Sequence, residues 1–549
     1  MIGTQSHADR ATGQRGAIAT VHPIATDAGL KVLQSGGNAL DAAIASAVML
    51  GVVDSHNSGL GGGCFILVDR PDGEILAIDG REMAAAAAHR DMYVRDGKVI
   101  PELSRTGPLA IGVPGAIAAY DLALQKRGTR QLSELLRPAA EVARNGFPID
   151  RIMAGNIART AEDINRFPAT AGVLLDASGQ PWPEGHRLVQ TDLAKTYDAI
   201  ATIGPEWFYQ GAFAEQAEAW MRANEGIITK QDFQNYRAVE RKPIVTTYRG
   251  FTVYGFPPPS SGGIHVAQIL NILENFDLKK IHSEDPIAFV HVITEAMKLA
   301  FADRAYWLGD ADHASVPRGL VDKRYAARLA AKIDLDKSTV VDAHGLPPEW
   351  QEDVYGRHTT HIAAADASGM FVAITATVNT SFGSKVMVPG TGLVLNNEMD
   401  DFSAMPGIPN AFGLVGAENN SIAPGKRPLS SMSPTIIVKD GTPVMTLGAA
   451  GGPKIITQVL LAIIRYIDLE STVQDSVRSA RFHHQWRPDV LFVESNMPSL
   501  VTQSLQQRGH NVQRLGSAGI LQAIIRERNG EQNFTAVSDP RAPGRAAAF

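Results

Sequence analysis

Three pairs of short apolar runs, each joined by turn residues, constrain this chain more than any other feature. CFILVD (64–69) and EILAID (74–79) flank Pro71-Asp72-Gly73, and TIIVKD (435–440) and PVMTLG (443–448) meet across Asp440-Gly441. THIAAAD (360–366) and MFVAITATVN (370–379) flank Ala367-Ser368-Gly369. Such runs predict β-hairpins, and therefore antiparallel sheet. Between them lie segments of helical period. The stretch 22–38 ends in Gly36-Gly37, Asn38 can cap a second helix reaching Val53, and further helices are expected near 113–127, 131–144, 285–307 and 454–467. The last 60 residues continue the style, with strand LFVE, a helix near 498–508 and strands on either side of Asn529-Gly530. Hairpins and helices throughout, without an internal repeat, predict an α+β layered fold.

A chain of 549 residues with 44% hydrophobic content can bury a large core. Its net charge of -6 supplies no general attraction to nucleic acid or anionic membrane, so a small-molecule or peptide partner is expected. Cys64 is the only cysteine, which excludes an intrachain disulfide and a cysteine-built zinc site. The first twenty residues lack the apolar core of a secretory signal. The sequence as it stands reads as cytoplasmic, or as periplasmic or secreted if a leader was trimmed before this numbering begins. The longest apolar run, 42–53, falls short of the roughly 20 residues that span a bilayer, so no membrane insertion is expected.

From 336 to 358 the pattern fails: DKSTVVDAHGLPPEWQEDVYGRH is polar, carries Pro347-Pro348 and has loop composition. Order resumes with Thr359-Thr360-His361 at the head of a strand. A threonine hydroxyl is a poor nucleophile without a base in reach, and its own α-amine can serve if the chain is cut before it. A terminal amine has a reference pKa of about 8, suited to general-base work at neutral pH. Cleavage between His358 and Thr359 would thus create nucleophile and base together. Thr-Thr-His alone is also ordinary strand composition.

The longer stretches TTHIAAADASGMFVAITATVNTSFGS, LNNEMDDFSAMPGIPNAFGLVG, GKRPLSSMSPTIIV, GAAGGPKIIT, RFHHQW and SDPR, preceded by SHNSGLGGGCF, IDGREMA and FPPPSSGGIH, resemble the γ-glutamyltransferase family of N-terminal nucleophile hydrolases. The resemblance covers nearly the whole chain from about residue 16. It implies a four-layer αββα sandwich built jointly by a large subunit, 1–358, whose first fifteen residues are expected to be disordered, and a small subunit, 359–549. It makes Thr359 the nucleophile, Thr377 the hydroxyl that supports it, and Gly451 and Gly452 the oxyanion hole. Arg81 would grip the donor's α-carboxylate with Ser430 and Ser431, while Asn379, Glu398 and Asp401 would receive its α-ammonium. Met405–Val415 resembles a lid, with Phe412 where other members often carry tyrosine. The implied reaction is γ-glutamyl transfer from glutathione or related compounds, through a Thr359 ester, to water, amino acids or short peptides, with no metal or organic cofactor required.

Other signals read as structural. Gly59-Leu60-Gly61-Gly62-Gly63-Cys64 lacks the third glycine of a dinucleotide fingerprint and lies in the wrong element order. His483-His484 has no ligand set at metal spacing. No G-x-S-x-G, H-E-x-x-H or P-loop pattern occurs. Two rivals stay open: an amidase or acylase of the same fold, as in cephalosporin acylases, and an unprocessed, non-catalytic binding protein.

Overall fold

The hairpins assemble into two seven-stranded sheets whose neighbouring strands are all antiparallel. The computed structural model describes residues 9–69, 73–348, 360–527 and 533–549. One sheet runs, edge to edge, through Arg10–Gly13, Phe534–Ser538, Ile520–Arg526, Thr442–Ala450, Thr435–Lys439, Phe251–Gly255 and Ile244–Tyr248. The other runs through Arg545–Ala548, Gly16–Thr20, His361–Asp366, Phe371–Thr377, Gly63–Asp69, Ile75–Gly80 and Val239–Arg241.

Period-2 alternation sorts the side chains of the central strands between two cores. Ile362, Ala364, Val372, Ile374, Ile66 and Val68 face an outer core shared with the helices Pro23–Gln34, Ala39–Val53, Ala116–Arg127 and Leu132–Asn145. Their neighbours Ala363, Ala365, Phe371 and Ala373 face the other sheet. Alanine dominates part of that inner layer, with Ala17, Ala19, Ala536 and Ala546 opposed to Phe371 and Phe534. The second sheet packs its outer face on Gly262–Leu273, Pro286–Trp307 and Lys454–Ile467. Helix, sheet, sheet and helix thus form the αββα sandwich. Because both faces of these strands are covered, they read as continuous apolar runs.

Local chemistry fixes the helix starts. Asn38 caps Ala39–Val53 through a reciprocal capping box with Asp41, and Asp366 accepts the Ala39 N–H at 2.7 Å. Every residue of that helix is buried. The chain before 349 and the chain after 359 interleave in both sheets, since Gly16–Thr20 lies between Arg545–Ala548 and His361–Asp366.

Of the stretch 1–15 expected to be disordered, residues 1–8 lie outside the described residues, and the rest departs from expectation. Arg10–Gly13 is not disordered but forms an edge strand on Phe534–Ser538, where backbone pairing orders four residues with little apolar content. Residues 334–348 contain no helix or strand.

Candidate active site

The hairpin of His361–Asp366 with Phe371–Thr377 directs the site. His361 opposes Thr375, and the backbones of Thr360 and Ala376 bond to each other, so Thr377 follows at the end of the paired strand. Thr377 is fully buried and its hydroxyl accepts the Asn379 N–H at 2.7 Å. His358 and Thr359 themselves lie outside the described residues. His361 is wedged between the sheets, with Nδ1 3.1 Å from the Thr375 hydroxyl and Nε2 buried without a partner among the described residues. Burial lowers its pKa to about 3, so the ring is neutral.

Asn379 sits at φ 76°, a left-handed conformation that asparagine tolerates, and donates from Nδ2 to the Asn397 carbonyl at 3.0 Å. Asn397 in turn holds Thr380, and the next residues form a 3-10 turn, Glu398–Asp401. This turn carries both expected carboxylates to Arg81. The Arg81 guanidinium bonds Glu398 from Nη1, Asp401 from Nη2 at 2.9 Å and Glu82 from Nη1 at 3.2 Å, while Nε donates to the Pro428 carbonyl at 3.4 Å. Pro428 is followed, after Leu429, by Ser430 and Ser431. Arg81, expected to hold the carboxylate, and Glu398 and Asp401, expected to take the ammonium, are therefore paired with one another, all at most 3% exposed, while Asn379 is half-buried and bonds to Asn397 instead.

Among the described residues, three carboxyls surround the Arg81 guanidinium. Burial works against the Arg81 charge, but Glu398, Glu82 and Asp401 together raise its pKa. Burial likewise raises Glu82 to about 7 despite Arg81, and pushes Glu398 well above the usual carboxylate range. Among the described residues Glu82 Oε1 and Glu398 Oε2 meet no donor, and a proton shared between the two neighbouring carboxyls would supply one. Glu82 escaped sequence reasoning although it adjoins Arg81. Its signal was a second charged residue directly after an apolar strand.

Gly451 and Gly452 end the strand Thr442–Ala450 and precede the helix Lys454–Ile467. Their φ values, 137° and 60°, require glycine. Among the described residues neither backbone N–H has a partner, and both stand at the positive end of a 14-residue helix. Phe412 covers this corner: a β-carbon on Gly452 would stand 2.8 Å from its Cδ1. The loop Met405–Val415 is tied to the Arg81 cluster, because Asn410 donates to Asp401 at 3.3 Å and accepts the Phe412 N–H at 3.0 Å. Thr377, Asn379, Glu398, Arg81, Asp401 and Phe412 thus follow one another in a chain of contacts that ends against Gly452.

His483 and His484 are buried and hold Gln485 at 2.9 Å and Asp489 at 3.1 Å respectively. The Asp489 partner, five residues on, was overlooked in the sequence; it makes a structural pair, not a ligand set. His291, Glu295 and His510 also converge within 4.8 Å. Their polar atoms are engaged already: His291 with His510 and the Asp334 carbonyl, each at 2.7 Å, and Glu295 with Lys298 at 3.0 Å and the Thr339 N–H at 2.9 Å.

Comparison with known proteins agrees with this geometry. The family model for gamma-glutamyltranspeptidase matches residues 25–549. The glutathione hydrolase proenzyme of Escherichia coli (strain K12) is 42% identical over 531 residues, 96% of this chain and 91% of the relative. The acylase ACY 1 proenzyme of Pseudomonas sp. (strain V22) is 39% identical, with 92% of this chain and 88% of the relative covered. Among solved structures, cephalosporin acylase from Bacillus halodurans superposes with a TM-score of 0.88 at 27% identity, covering 100% of this chain and 99% of that one. With its antiparallel αββα sandwich and the network around Arg81, Thr377 and Gly452, this chain belongs to the gamma-glutamyltranspeptidase family.

Proposed function

We propose that the chain matures by cleavage between His358 and Thr359 into a large subunit, 1–358, and a small subunit, 359–549, and that Thr359 then carries the γ-glutamyl group. The reaction is γ-glutamyl transfer and hydrolysis, with glutathione and related γ-glutamyl compounds as donors. The Thr359 hydroxyl attacks the γ-carbonyl while its α-amine takes the proton, and the Gly451 and Gly452 N–H groups receive the developing oxyanion. The amine returns the proton to the leaving nitrogen. Water, an amino acid or a short peptide then attacks the ester and regenerates Thr359. The same hydroxyl performs maturation by attacking the His358 carbonyl, moving the acyl group from nitrogen to oxygen before hydrolysis.

The observation that carries this reading is the register of the hairpin, which ends its buried strand at Thr377 beside the asparagine network leading to Arg81. Arg81 can meet the donor's α-carboxylate together with Ser430 and Ser431, and Asn379, Glu398 and Asp401 can take its α-ammonium. For either contact the present Arg81 pairs must open, so the donor exchanges one set of charge-assisted bonds for another.

Mass spectrometry under denaturing conditions, with N-terminal sequencing of the smaller fragment, tests the first step. A fragment beginning Thr359-Thr360-His361 is expected. Thr359→Ala should remain one chain of 58.8 kDa and lose turnover by several orders of magnitude. Two fragments with normal activity in that variant would remove Thr359 from the mechanism. Its likeness to a cephalosporin acylase favours a same-fold acylase as the second reading. Competition by free glutamate separates the two, since the Arg81, Glu398 and Asp401 set serves an amino-acid head group.

A further inference from the structure

The FPPPSSGGIH stretch, which the reaction does not use, leads to a second buried cation. Ser261 and the Ser430–Ser431 turn pack together, with the Ser261 N–H donating to the Ser430 carbonyl at 3.0 Å and Ser260 forming a bridge to Ser430. Arg304, in the last turn of Pro286–Trp307, closes this joint from the far side. Its Nε donates to the Ser261 hydroxyl at 2.9 Å, and its Nη2 reaches the Ser431 hydroxyl at 3.3 Å and the Ser430 carbonyl at 3.4 Å.

Arg304 is 3% exposed, and among the described residues no carboxylate forms an ion pair with it. A buried guanidinium held only by hydroxyls and a carbonyl is costly unless negative charge completes its surroundings. Its position at a helix C-terminus recovers only part of that cost. Burial pulls the group down to about 10, with Asp401 as the opposing influence, so it remains a cation at neutral pH. The adjoining His265 is held near 3 by burial and by the same guanidinium.

We propose that Arg304 is the second cation of the donor site, a positioning residue that holds the Ser430–Ser431 turn through Ser261 and lends positive potential to an α-carboxylate bound there. This rests on the γ-glutamyl reading above. The two cations divide the work: Arg81 is surrounded by three carboxyls, whereas Arg304, without an ion pair among the described residues, lends its charge behind the two serines. A zwitterionic head group would then complete both sides, its carboxylate facing the serines and its ammonium the surplus carboxyls.

In the processed protein, Arg304→Gln is expected to raise KM for a γ-glutamyl anilide, and the inhibition constant of free glutamate, by about tenfold or more, with a smaller change in kcat. Inhibition by glutarate, which keeps the carboxylate, should weaken likewise, and inhibition by 4-aminobutyrate, which lacks it, should not. Arg304→Lys preserves the charge and should recover most of the loss. Equal weakening of glutamate and 4-aminobutyrate, no weakening of glutamate, or a fall confined to kcat would each overturn the proposal. If Arg304→Gln does not fold, Ser261→Ala, which removes the hydroxyl that anchors Arg304 Nε, carries the same comparison of inhibitors. Parent protein that turns over no γ-glutamyl anilide would instead sink the functional reading itself.

Discussion

Gly448→Ala tests how tightly the head of the catalytic hairpin is held between the sheets. Gly448 lies in Thr442–Ala450, and a β-carbon there would stand 2.4 Å from His361 Nδ1, 2.6 Å from Cε1 and 2.8 Å from Cγ. Ordinary contact begins at 3.4 Å, so the ring would have to retreat by 3.4 − 2.4 = 1.0 Å. It has little room, being 1% exposed and bonded to Thr375 at 3.1 Å. Overpacking of this kind typically costs about 1–3 kcal/mol. Two assays read the effect: the midpoint of urea unfolding, and the fraction of chain processed after a fixed time, because His361 follows the proposed nucleophile by two residues. Both should fall. In a His361→Ala background the space exists already, and the added penalty of Gly448→Ala should shrink to about 0.5 kcal/mol or less. Unchanged midpoint and processing, or an equal penalty in both backgrounds, would show that the ring is not the obstacle.

The Glu82–Glu398 pair should give a titration signature. Glu82 stands at about 7 when folded against an ordinary value of 4.5, so the folded protein binds more protons between those pH values, and the pair's contribution to stability falls as pH rises through that window. Glu82→Gln should flatten this part of the stability profile, as thermal midpoints measured from pH 4 to 8 would reveal; an unaltered profile refutes the shared proton. If the loop Met405–Val415 acts as a lid, Phe412→Ala, which uncovers Gly452, should shift product from transfer toward hydrolysis when a dipeptide acceptor is present. An unchanged product ratio by chromatography would deny the ring any role in limiting water.

Much of the architecture is local in origin and could be read directly. Turn residues between apolar runs mark the hairpins, and caps such as Asn38 mark helix starts, because φ/ψ preference and neighbouring hydrogen bonds act within a few residues. The edge strand Arg10–Gly13 was invisible for the same reason: its order comes from pairing with Phe534–Ser538, more than 500 residues away. The candidate site divides similarly. Family motifs marked Arg81, Thr377, Asn379, Glu398, Asp401, Ser430, Ser431, Gly451 and Gly452, but not their mutual contacts.

By itself, the sequence determined the elements, the antiparallel layering and the chemical types available for acyl transfer. Only the tertiary structure decided that Arg81 meets carboxylates 317 and 320 residues further on, that Phe412 lies against Gly452, and that Arg304 stands behind Ser431 with no carboxylate in ion-pair contact among the described residues. Those facts depend on which surfaces are removed from water together. Burial strengthens each charge interaction and makes each missing partner costly, and neither effect leaves a local pattern in the chain.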